Sequence, residues 1–155
     1  MLAELVELVA DTINASNPNV WGTYKVPGYV TAEKCLDPQE LMESRTKRLF
    51  VMPLVTNFDM GESLRRNQVQ SISSTLTFGV TLLIPFSEFD RNDVTTWNEV
   101  KKVLELREKL DLFVIRQKWG DYNLDSVDPQ PPVEIELSQR TFMSTTEFIY
   151  RTQVC

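Results

Sequence analysis

Asp121, Asn123 and Asp125 stand at the first, third and fifth positions with which a calcium-binding loop opens. Such a loop needs a glycine at its sixth position and a bidentate glutamate at its twelfth, because the chain must turn sharply around the cation and then close on it. Here those positions hold Ser126 and Pro132. The run from Asp121 to Pro132 therefore reads as a polar, turn-rich loop and not as a metal site. Two carboxylate pairs, Glu134 with Glu136 and Glu4 with Glu7, each share one face at strand or helix spacing. Acid–base catalysis asks for environments that push two pKa values apart. These pairs instead sit opposite apolar positions, on the wet sides of amphipathic elements. Cys35 follows Lys34, whose charge favours a thiolate, but no base or orienting partner accompanies it.

Histidine is absent from the chain. Its absence removes the commonest general base, the Ser–His and Cys–His nucleophile pairs, and most zinc sites. None of the five glycines falls in a GxGxxG, a phosphate-binding loop or a GxSxG elbow. Trp21, Tyr24 and Tyr29 around Lys25 have the makings of a base-stacking platform. In an acidic chain, aromatics beside Pro27 and Gly28 read better as pins that hold a loop to the core. The expectation is a protein that is no enzyme and uses neither cofactor nor metal.

The elements that would position any site follow from patterning. With 155 residues, 42% of them apolar and 25% charged, the chain fits one globular domain spanning 1–155. A net charge of −6 disfavours adhesion to nucleic acid or anionic lipid. Basic residues gather only locally, at Arg45, Lys47 and Arg48 and at Arg65 and Arg66, and read as solvated loop charges. Two distant cysteines suggest no disulfide framework. The first ten residues lack a basic start and contain Glu4 and Glu7, so no signal peptide is expected. No run approaches the roughly 18 apolar residues of a membrane span. A reducing cytoplasm is the expected place of synthesis.

Leu2, Leu5, Val6, Val9 and Ile13 recur at helical spacing and predict an N-terminal helix stopped by Asn14 to Pro18. Asp37, Pro38 and Glu40 predict the start of a short helix. Leu49 to Phe58 reads as a covered strand, bulged or at an edge where Pro53 removes a ladder donor. A polar loop follows from Asp59 to Asn67. Ile72, Leu76, Phe78, Val80, Leu82 and Ile84 then alternate with Ser71, Ser73, Thr75, Thr77 and Thr81, which predicts a long strand with the even-numbered set facing the core. Its start, Gln68 to Ser74, is expected to project as a hairpin arm. A major helix runs from Asn92 or Asp93 to about Lys118 on Val94, Trp97, Val100, Val103, Leu104, Leu110, Phe113 and Val114. Val133 to Leu137 and Glu147 to Val154 are the last strands. The sum is an α+β fold: an antiparallel or mixed sheet of about four strands with a long central strand, packed by the N-terminal helix and the major helix.

This layout resembles that of the tail terminator (tail completion) proteins of long-tailed bacteriophages. The likeness lies in the amphipathic first helix, the apolar strand Leu49 to Phe58, the long strand ending Leu82-Leu83-Ile84-Pro85-Phe86, the Trp-containing helix from Asp93, and the closing hairpin at Glu147 to Val154. The resemblance implies a structural virion protein of the phage neck, assembled in the host cytoplasm. It would form a homohexameric ring that caps the tail tube protein and meets the head–tail connector, with DNA passing through unbound and no membrane involved. The family has no short motif, so no residue role transfers. From the arm and its loop alone, the expected interface is Arg65, Arg66, Gln68, Gln70, Ser71, Ser73 and Thr75. Another head–tail connector or a tail tube subunit would share the layout. A monomeric cytoplasmic adaptor that binds a peptide at a sheet edge is the alternative outside the virion.

Overall fold

The computed structural model describes residues 1–15, 32–34, 48–60, 72–85, 96–136 and 140–153. Outside those ranges lie the aromatic stretch Trp21 to Tyr29, the short helix expected from Asp37, Cys35 and Cys155, and five of the expected interface residues, Arg65, Arg66, Gln68, Gln70 and Ser71. Helix α1 spans Leu2–Ala15 and buries Leu5, Val6, Val9, Ala10 and Ile13, the spacing of one helical face. Glu4 in its first turn complements the helix dipole. Helix α2, Thr96–Arg116, buries Val103, Leu106, Leu110 and Val114.

Among the described residues six strands form one sheet: β1 (Ala32–Lys34), β2 (Arg48–Met60), β3 (Ile72–Pro85), β4 (Asn123–Pro129), β5 (Val133–Glu136) and β6 (Arg140–Gln153). Their order is β1-β2-β3-β6-β4, with β5 also paired to β6. Only β1 runs parallel to its neighbour; the other pairings are antiparallel. This is the expected α+β architecture with β3 long and central. Two strands exceed the expectation. The first is β1, where no strand was expected, and the second is β4, in the segment read as a polar loop. A run of Asn, Leu, Asp, Ser, Val, Asp and Pro has little β propensity of its own, and pairing with β6 draws it into the sheet. The last strand also begins at Arg140 instead of Glu147. Its added half turns small hydroxyls, Ser144 and Thr146, towards the core, which no apolar alternation announces.

Strands β4 and β5 share one side of β6, β4 opposite its second half and β5 opposite its first. Pro129, Pro131 and Pro132 break them apart, since proline offers no donor to a ladder. Gln130 keeps the ladder through its N–H to the Thr145 carbonyl, 2.9 Å.

The two described helices pack on one face of the sheet, here called the inner face. Leu49, Val51, Leu76, Phe78, Val80, Leu82, Ile84, Phe148 and Tyr150 meet α1 and α2 there in a single buried cluster. The even-numbered set of β3 faces this core as expected, except that Ile72 at its start is only half-buried. Trp119 closes the α2 end: it is buried, and its indole N–H donates to the Val114 carbonyl at 3.2 Å, satisfying a last-turn acceptor. Trp119 and Tyr122 then bridge across a tight turn in which Gly120 adopts φ 62°. A side chain at Gly120 would meet nothing within 4 Å, so its only cost is the left-handed backbone. Gly120→Ala should therefore lose about 1 kcal/mol in urea unfolding and Gly120→Asn less. Equal stability of wild type and Gly120→Ala would show that the turn relaxes out of this conformation.

Candidate assembly surface

The opposite, outer face of the sheet is shaped by a bulge. Pro53 lies opposite Phe78 on the inner face, yet Val55 lies opposite Thr77 on the outer one. Leu54, the residue gained between them, also turns outward, since its Cδ1 would stand 3.5 Å from a Cβ built on Gly79. Pro53 was expected to mark a bulge or an edge, and the strand is bulged there. The consequence is two adjacent apolar side chains on one face, each 45% exposed.

Register defines what surrounds them. One row across the sheet runs Val55, Thr77, Ile149 and Ser126; the row beside it runs Met52, Gly79, Glu147 and Asp128. Asp128 and Glu147 are thus directly opposite, two like charges on one face, an arrangement that costs stability. Asp128 accepts a hydrogen bond from Gln130 Nε2 at 3.0 Å. Further along, Arg151 Nε stands 3.9 Å from Asp125 Oδ1, and both side chains are about half exposed. Towards the other end, Phe50, Met52 and Leu83 form a second buried cluster with Met143 against it. Thr81 and Thr145 share a hydroxyl–hydroxyl bond of 2.9 Å there. The outer face is therefore closed at one end and half-open at the other.

Of the expected interface residues, Ser73 and Thr75 lie on this outer face at its open end, half-buried, opposite Gln153 and Arg151. Ser73 Oγ reaches the Asp59 carbonyl at 3.5 Å. On the inner face of the same end stands Phe58, 60% exposed. The patterning that placed Ser73 and Thr75 on a polar face did not single out Leu54, Val55 or Phe58. The sign was present in Pro53, because a bulge there forces two neighbouring residues onto one side.

No family model matches this chain, and no curated protein matches it. What the site can do rests on its own geometry. Among the described residues no group of three or more His, Cys, Asp or Glu gathers as a metal site would. The Asp121–Asp125 run enters strand β4, where Asp125 Oδ1 stands 3.9 Å from Arg151 Nε.

One buried ionic cluster lies elsewhere, between α2 and β6. Arg107 Nε donates to Thr146 Oγ1 at 3.2 Å, and an Arg107 terminal nitrogen donates to the Gln130 carbonyl at 2.7 Å. Thr146 Oγ1 donates to Asp111 Oδ2 at 2.9 Å, while Arg107 Nε stands 3.8 Å from the same oxygen. Burial raises the Asp111 carboxyl from 3.8 to about 6, with Glu108 adding; the Thr146 hydrogen bond and the Arg107 charge oppose the rise. The donors and acceptors are spent on one another and on the corner between β4 and β5. This arrangement fastens α2 to the sheet.

Proposed function

We propose that this chain is a ring-forming structural subunit of a phage virion, of the tail terminator type. It closes the end of the tail tube and meets the head–tail connector, with DNA passing through its centre. The single observation that carries this reading is the β2–β3–β6 arm. The two described helices bury the inner face, while Leu54 and Val55, midway along β2, stay exposed on the outer face and Phe58, near its end, stays exposed on the inner one. Exposed apolar groups on both faces of a sheet favour contact with other protein. Two further features support it: the acidic net charge, which lets DNA pass without sticking, and the resemblance of the element order in the sequence to that of tail terminators.

Negative-stain electron microscopy of the purified chain, paired with its native mass, tests the proposal. Closed rings of one size are expected. Long tubes would move the assignment to a tube subunit, and a chain that stays monomeric at every concentration would remove the ring altogether.

A further inference from the structure

The outer-face patch has an apolar centre, Leu54, Val55 and Ile149, bordered by the opposed carboxylates Asp128 and Glu147. Burial of the centre by a partner is favourable at about 25 cal/mol per Å² of apolar area covered. A cation placed against the carboxylates relieves the repulsion that their register imposes. An occupant that is both apolar and doubly basic fits the patch. The chain contains such a segment: residues 61–71, which join Met60 of β2 to Ile72 of β3, include Leu64-Arg65-Arg66 and Val69.

We propose that residues 61–71 of one copy dock on the outer-face patch of the next, with Leu64 against Leu54 and Val55 and with Arg65 and Arg66 against Asp128 and Glu147. This rests on the ring reading and names its contact. The two surfaces differ, so the contact is heterologous and repeats head to tail. That geometry closes a ring when its rotation divides a full turn, where a self-complementary contact stops at two copies. Self-pairing of the β4 edge is a poor rival, because antiparallel β4 strands from two copies would bring Asp125 and Asp128 of one against those of the other.

A charge exchange between variants tests it. Asp128→Lys with Glu147→Lys reverses the patch, and Arg65→Glu with Arg66→Glu reverses the segment. Each double variant alone sets like charges against each other in every contact. In an equimolar mixture every contact between unlike copies is again complementary. Native mass spectrometry should show each variant losing the ring alone and the mixture regaining it, in rings of even subunit number. A third variant, Leu54→Ser with Val55→Thr, keeps the charges and should weaken assembly at least about tenfold. Thermal unfolding of each variant confirms that the chain still folds. Rings that persist in either charge variant alone, or loss without recovery on mixing, would overturn the docking while leaving a ring-forming protein. A wild-type chain that never assembles would overturn both.

Discussion

Arg107→Ala is expected to cost about 3–5 kcal/mol of folding stability, the penalty for removing one partner of a buried, hydrogen-bonded charge pair. Arg107 is nearly fully buried, and its loss strips a donor from Thr146 and another from the Gln130 carbonyl. It also removes the positive charge that holds down the proton affinity of Asp111, whose pKa should climb further above its present value of about 6. The pH dependence follows with a definite sign. Asp111 titrates near 3.8 when the chain is unfolded and near 6 when it is folded, so the folded state holds the extra proton between them. Its contribution to stability is complete below the lower value and is lost as the pH rises through the upper one, a total of about 3 kcal/mol for a shift of about 2 units. Urea unfolding of wild type and Asp111→Asn from pH 4 to 8 measures this as a difference between the two slopes. Coincident slopes would mean that Asp111 ionises freely. Replacing the pair together, Arg107→Met with Asp111→Leu, should recover most of the loss, because a packed apolar pair needs no desolvated charge. If the double variant is as unstable as Arg107→Ala, the damage comes from packing and not from the stranded carboxylate.

Phe78→Ala should cost a comparable amount, about 3–5 kcal/mol, through a cavity at the centre of the inner face. Phe78 is fully buried, and its ring stacks between Phe148 at 5.4 Å and Tyr150 at 5.7 Å, with interplanar angles of 17° and 10°. Phe148 is its direct partner across the β3–β6 pairing, and Tyr150 lies one inward step along β6. Removing the middle ring therefore breaks two aromatic contacts as well as losing buried area, and rigid strands on both sides prevent collapse into the gap. Phe78→Leu keeps most of the volume and should lose only about 1–2 kcal/mol, mainly the stacking. Denaturant midpoints of the two variants separate the terms; equal losses would assign the whole effect to ring stacking.

Much of this protein was legible in its residue order. The spacing of Leu5, Val6, Val9 and Ile13 determined a helix and its buried side, and the alternation from Leu76 to Ile84 determined a long strand and the face it turns to the core. Pro53 narrowed its place to a bulge or an edge, since a residue without an N–H cannot complete the ladder, and the strand is bulged there. These are local properties, set by the period of the backbone and by the donors each residue carries.

Three decisions belonged to the tertiary structure. Strand β4 exists because β6 supplies its hydrogen-bond partners, whatever the weak propensity of its own residues. Arg107 lies between Val103 and Leu110 on the stripe that packs against the sheet, and patterning did not single it out. Only the chain's long-range contacts supplied Thr146 and Gln130 to satisfy it. The pairing of Asp128 with Glu147 and of Val55 with Thr77 and Ile149 likewise depends on the register between strands far apart in sequence. Register is fixed by which faces bury most apolar surface when the strands meet, and that is a property of the assembled sheet.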